Sequence, residues 1–422
     1  MKAFGLWSAV FIGIGAMVGA GIFIVIGEAG SIAGNLVWLS FIFGGIIALL
    51  SGYSLAKLAL AFPSRGGIIE YLVQEFGVNI FSGAMGVLFY FAQLIALAAV
   101  AKSFGTYSSE LFFGNENYTN IFGVGIVLVF MIINLLGAYF VAKSENIIVI
   151  IKLVILLSFT LAALLHINPQ YLELSKAPPF INVLFAIALT FFAYQGFSVI
   201  TNTIEDMKNP KDILKAMILA ILIVMILYVA TSIAVLGNLP LDEVIKAKDY
   251  ALALAAKPVF GELGFKIMAI AALISTASAI NATLYAVTQI SYVLAKEGNL
   301  PEIYEYNVFN SNEGLIISTI LIIPMILFFN LAQITSAAAI SMLIIQAIVH
   351  LGHLKVINKT NANKTLIILA FISMILVAIL ASYYNYKHSP IVVWYLIGIF
   401  IGGFIAEAIL RKVKKREILP QS

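Results

Sequence analysis

Apolar stretches long enough to cross a membrane recur from one end of this 422-residue chain to the other. A helix rises 1.5 Å per residue, so about 20 apolar residues span the roughly 30 Å hydrocarbon core of a bilayer. Backbone polar groups find no water there, and only helices or closed barrels satisfy them. Barrel strands alternate apolar and polar residues over about ten positions. The segment NIIVIIKLVILLSFTLAALL at 146–165 does not alternate, and neither do the others. The chain is 62% hydrophobic and 10% charged, against about 25% charged in soluble domains. The expected class is therefore an all-α membrane protein, in one transmembrane domain over 1–422.

Hydropathy predicts about twelve spans: 5–27, 34–62, 80–111, 119–140, 144–166, 182–204, 211–236, 262–295, 314–330, 331–355, 364–384 and 390–410. The polar stretches near 237–262 and 297–314 are loop-sized. The first apolar segment shows no cleavage site and reads as a retained span. With both termini placed in the cytoplasm, the inner segments carry Lys2, Arg65, Lys143, Lys208, Lys211, Lys215, Lys296, Lys355, Lys359, Lys364 and the basic run from Arg411 to Arg416. The outer loops carry Lys176, Lys246, Lys248, Lys257 and Lys387. That asymmetry fits a multi-pass protein of the cell membrane with both termini inside. The +4 net charge is spread along one membrane face and does not point to nucleic acid. Cysteine is absent, which excludes disulfides, thiolate metal sites and cysteine nucleophiles. His166, His350, His353 and His388 fall at span ends or in loops and are expected at the interface. No cofactor or metal is expected.

Four features break the apolar pattern. Lys152 stands in the middle of the fifth span. A charge at that depth costs at least several kcal/mol, and desolvation drives a lysine toward proton exchange. The competing reading is a side chain snorkelling to the interface. Lys102, nearer the outer end of the third span, is expected to snorkel. Gly13, Gly15, Gly19 and Gly21 in GIGAMVGAGIF weaken the first span. They fit either close helix packing or an unwound site whose free N–H groups face an anion. Gly196, beside Gln195 among Phe191, Phe192, Tyr194 and Phe197, marks a second candidate break in the sixth span. Breaks in first and sixth place suit two five-helix repeats of inverted topology, 5–166 and 182–355, followed by two accessory helices at 364–410. The eighth span is polar at Ser275, Thr276, Ser278, Asn281 and Thr283. Those groups either bond back to their own helix or line an ion site.

Together these segments resemble the amino acid–polyamine–organocation superfamily of secondary transporters. The resemblance rests on GAMVGAGIF, on PSRGGIIEYLVQEFG after the second span, on FFAYQGF, and on SAINATLYAVTQISYVLAKEGNLP in and after the eighth. Lys152 makes the chain similar to its proton-coupled, broad-specificity amino-acid transporters, where sodium-coupled relatives hold a sodium ion. The resemblance implies a LeuT-like 5+5 fold with discontinuous helices 1 and 6. It implies that N–H groups of Gly19, Ala20 and Gly21 bind the substrate carboxylate. Carbonyls of Met17, Phe192 and Gln195 would take the ammonium beside Ala193, and the Phe192 ring would close the site. Lys152 would bond the first span near Gly15 and the eighth near Ser275 and Ser278. Ser198 replaces a glutamate common in relatives, which leaves coupling to Lys152.

These expectations describe a proton-coupled importer of neutral amino acids by alternating access. Its partners would be the amino acid, protons and the lipid bilayer, with oligomeric state open. An exchanger of amino acids or amines without net proton movement is the second transport reading. An enzyme is not expected, because no paired aspartates, HExxH or serine with a base lies within the spans.

Overall fold

A computed structural model of the protein describes residues 5–19, 21–64, 66–136 and 139–414, the side chains of 139–146, 411, 413 and 414 excepted. The helices follow the apolar segments closely. In chain order they are α1 (Leu6–Met17), α2 (Gly21–Ala33), α3 (Val37–Ala61), α4 (Ile68–Phe76), α5 (Ile80–Phe113), α6 (Thr119–Leu136), α7 (Tyr139–Leu164), α8 (Phe180–Ala193), α9 (Ile213–Asn238), α10 (Leu241–Lys246), α11 (Ala251–Leu254), α12 (Lys257–Lys296), α13 (Glu313–Phe328), α14 (Leu331–His353), α15 (Ile357–Thr360), α16 (Lys364–His388) and α17 (Pro390–Lys414). Among the described residues, ten helical segments are long and apolar enough to cross a membrane. Two shorter apolar helices, α1 and α13, accompany them. Two-residue strands β1 (Asn307–Val308) and β2 (Ser311–Asn312) pair antiparallel before α13, Asn307 opposite Asn312 and Val308 opposite Ser311.

The first predicted span is broken. Helix α1 stops at Met17, Val18 leaves helical geometry at φ −77°, ψ 8°, and a new helix starts at Gly21. The sixth span breaks as well, but its far half is not α-helical. After α8, residues Gln195–Asp206 form a twelve-residue 3-10 helix. Runs of this kind beyond three or four residues are uncommon. Local hydroxyls add bonds to this helix's carbonyls. Ser198 Oγ donates to the Gln195 carbonyl at 3.2 Å, Thr201 Oγ1 to Ser198 at 2.7 Å and Thr203 Oγ1 to Ile200 at 2.8 Å.

The centre is built from α2, α3, α5, α8 and α14, whose side chains are mostly buried. Helix α7 lies at the rim and shows how burial inverts polarity in a bilayer. Ile147, Ile150, Val154, Leu157 and Leu161 are exposed on its outer face. Lys152, Leu156, Phe159, Thr160 and Ala163 recur at helical spacing on the inner face and are buried. The apolar side faces the lipid region, and the polar groups turn inward.

Candidate substrate and coupling site

The two breaks meet backbone to backbone. A Cβ at Gly196 would run into the Ala16 carbonyl carbon and the Met17 nitrogen, and one at Gly21 would sit 2.5 Å from the Ala193 oxygen. Only glycine allows that approach, which is why both spans carry one at the crossing. The Gly19 N–H turns back weakly to the Ala16 carbonyl at 3.4 Å. Gly21 opens α2, so its N–H lies among the donors that a helix start leaves without an intrahelical partner. Ala20 lies outside the described residues.

One side chain that sequence reasoning missed ties the crossing together. Tyr228 of α9 donates its hydroxyl to the Met17 carbonyl at 2.7 Å and shares it with Ala193 at 3.2 Å. A lone tyrosine in an apolar span carries no signal of such a role. Two expectations change as a result. The Met17 carbonyl, expected to receive an ammonium, here accepts from Tyr228, and the Gln195 carbonyl accepts from Ser198. The Gln195 carbonyl also takes the Ser198 N–H of the 3-10 ladder, so its lone pairs are filled, while the Met17 carbonyl keeps one to offer. Phe192 is buried beside Ala193. The Gln195 side chain accepts at Oε1 from Gln346 Nε2 of α14 at 2.8 Å, and its Nε2 has no hydrogen-bond partner among the described residues.

Lys152 reaches the same crossing from α7. It is 1% exposed, and its Nζ donates to the Gly15 carbonyl at 3.0 Å. The side chain therefore points into the bundle and does not snorkel. From α12, Ser275 Oγ donates to the carbonyls of Val18, at 3.2 Å, and Gly19. Ser278 of the same helix is buried near this level. Thr276 instead bonds back to Ala272 at 2.7 Å, and Asn281 accepts from Asn134 of α6 at 2.8 Å. The polar face of the eighth span is thus divided between self-bonding, span-to-span contacts and the break.

Lys102 is half-buried, and its Nζ donates to Asn120 Oδ1 at 2.6 Å and to the Ile326 carbonyl at 2.7 Å, where α6 begins and α13 ends. One other expectation fails. His350 and His353 are not interfacial but fully buried between α14 and α3, since Ser51 and Ser54 meet their rings. The i, i+3 spacing puts both on one face of α14, yet the hydroxyls waiting on α3 were not legible from that spacing.

The site is asymmetric across the membrane. Ser8 and Ala16 of α1, and Val199 and Asn202 of the 3-10 helix, are exposed. Residues Ile22 to Gly30 of α2 are all buried. On that far side Gly27 abuts the Lys248 carbonyl, and Lys248 Nζ lies 3.6 Å from the buried Glu28 carboxylate.

Residues 4–406 match the family model described as amino acid permease. The chain belongs to the amino acid permease family, within the amino acid–polyamine–organocation superfamily. The permease is 40% identical over 420 residues to an uncharacterized protein of Methanocaldococcus jannaschii, covering 98% of this chain and 97% of that one. It is 34% identical over 422 residues to the inner membrane transport protein YbaT of Escherichia coli, with the same coverage. It is 26% identical over 306 residues to the serine/threonine exchanger SteT of Bacillus subtilis, covering 71% and 69%. The permease is thus a multi-pass membrane protein of amino acid transport.

Proposed function

We propose that the permease imports neutral amino acids, driven by protons, through alternating access of two inverted repeats, 5–166 and 182–355. The observation that carries this reading is the buried Lys152 ammonium on the Gly15 carbonyl, one turn before the break of the first span. A carboxylate would sit on N–H groups at Gly19–Gly21, and the free lone pair of Met17 with the Phe192 carbonyl would meet the ammonium, beside the Gln195 amide. Ala193 marks the far wall. The side chains bonded at this crossing, Gln195, Tyr228 and Ser275, are uncharged apart from Lys152, which favours a zwitterionic ligand with an uncharged side chain. Charged Lys152 holds α7 to α1. Its deprotonation would release that tie and favour the other orientation, so proton movement and access change together. Ser275 and Ser278 would steady the first span from α12. The cytoplasmic placement of both termini belongs to this reading.

The test is uptake of labelled neutral amino acids into proteoliposomes, with and without a pH gradient. Accumulation should follow the gradient and need no sodium, and Lys152→Ala should abolish it at unchanged expression. A variant that still concentrates substrate with normal pH dependence would sink the reading, as would a sodium requirement. Exchange without net proton movement, as the name of the Bacillus relative suggests for that protein, would show as counterflow indifferent to the gradient.

A further inference from the structure

A continuous chain of hydrogen bonds leaves the break of the sixth span and runs to the end of the bundle near Lys57, Lys355 and Lys359. Gln195 Oε1 accepts from Gln346 Nε2 at 2.8 Å, and Ser51 Oγ lies 3.0 Å from Gln346 Oε1. Ser51 Oγ also meets His350 Nε2 at 2.9 Å, and His350 Nδ1 meets Ser54 Oγ at 2.9 Å. Ser54 Oγ meets His353 Nδ1 at 2.8 Å, and His353 Nε2 meets Thr360 Oγ1 at 2.9 Å. Thr360 Oγ1 donates to the Ile357 carbonyl at 3.0 Å. Both histidines are 0% exposed.

The hydrogens along this chain can be counted. Between the Gln346 side-chain oxygen and the Ile357 carbonyl there are six links. Three hydroxyls and two neutral imidazoles bring five hydrogens, so one link stays empty. An imidazolium donates from both nitrogens, and a single added proton fills every link. Turning over the amides of Gln195 and Gln346 also fills them. Gln195 Nε2 then donates to Gln346 Oε1, Gln346 Nε2 donates to Ser51, and every hydrogen points toward Ile357 with both histidines neutral.

We propose that His350 and His353 form a proton-binding site whose occupancy is read at the side-chain amide of Gln195. With the proton bound, Oε1 of Gln195 is engaged and Nε2 is offered to the substrate as a donor. Without it Nε2 is engaged and Oε1 is offered as an acceptor. The inference rests on the reading that an amino acid binds beside Gln195. It adds a titrating pair on α14, separate from Lys152 on α7. Titratable groups stand on the elements packed against α14. Lys57 of α3 lies within electrostatic reach of His353 and donates to the Asn361 carbonyl at 3.2 Å. Glu75 of α4 packs against Gly352, and Lys355 lies over the Phe76 ring within reach of Glu75. Lys359 of α15 lies over Phe62, and Lys364 opens α16. From the other neighbours of α14, Lys102 stands on α5 and Glu407 of α17 packs against Gly83 of α5. Thr360 and Lys57 mark the end where the proton would enter.

The experiment is nitrogen-15 NMR of histidine-labelled full-length permease, titrated with and without a saturating neutral amino acid. Signals of His166 and His388, which are exposed, are assigned by replacing each with glutamine. The expected result is one proton taken up by the pair as pH is lowered across the range in which the protein stays folded, with a midpoint that moves by roughly half a pH unit or more on binding. Gln346→Leu should still bind the amino acid but lose the shift, and Ser51→Ala should do the same if the first variant does not fold. Two neutral imidazoles of fixed tautomer throughout that range would overturn the proposal, as would a shift that survives both variants. Failure of every neutral amino acid to bind, by calorimetry, would instead overturn the transport reading. The titration of the pair without ligand would still decide the proton site.

Discussion

Among single residues, Glu75 sits in the least favourable surroundings outside the spans. It is 5% exposed on the short helix α4, and neither carboxyl oxygen has a hydrogen-bond partner among the described residues. Burial pushes its carboxyl from the ordinary 4.5 up to about 10, with Lys355 partly opposing. Between those two values the unfolded chain is ionised while the folded chain keeps its proton. The native state then binds more protons, so stability falls as pH rises through this window. Glu75→Gln should therefore raise the thermal midpoint near pH 8 and leave it unchanged near pH 4. An equal gap at both pH values in a melting series would refute that cause. Tyr228 shows the opposite case, a buried polar group fully engaged. Tyr228→Phe removes the donor to two carbonyls and should cost about 1–3 kcal/mol, read as a lower midpoint in purified protein.

At the scale of elements, the crossing of the two broken spans makes a graded prediction. Alanine at Gly196 would press on the backbone of Ala16 and Met17, which cannot swing aside as a side chain can. Over-packing of that kind costs roughly 1–3 kcal/mol or more. At Gly19 the nearest atom would be the Ala16 oxygen at 3.1 Å, and at Gly398 nothing lies within 4 Å. Uptake and melting temperature should fall in the order Gly398→Ala, Gly19→Ala, Gly196→Ala, from no change to loss. A Gly196→Ala protein that transports normally would mean that the breaks are not in backbone contact. The 3-10 half of the sixth span belongs to the same crossing, because Gly196 near its start meets Ala16 and Met17.

For the whole molecule, the exposure pattern implies one open side. Ala16 is exposed at the crossing while α2 beyond it is buried. The chain has no cysteine, so single cysteines can be labelled without background. Ala16→Cys should react with an impermeant maleimide only from the side where α1 begins, and substrate should protect it. Ile22→Cys should stay unreactive unless the protein turns over. Labelling of Ala16→Cys from the opposite side alone would reverse the assignment of the open face.

Much of this was legible along the chain, because a bilayer enforces it locally. Apolar length sets each helix, and the glycines of the first span and Gly196 mark where helices fail. Lys152 could be singled out because a buried charge is costly enough to stand out in any apolar run. What only the tertiary structure decided are the partners. Tyr228, Gln346, Ser51 and Ser54 are ordinary residues in ordinary spans, and their roles arise from what faces them across the bundle. His350 and His353 were placed at the interface because they close a span, yet α3 and α15 cover them with hydroxyls. Lys102 reaches the end of the bundle, where only packing shows that Asn120 and the Ile326 carbonyl meet it. Hydropathy and helix propensity act within about one turn of a residue and can be read in order. A hydrogen bond between positions hundreds of residues apart depends on packing that no local pattern encodes.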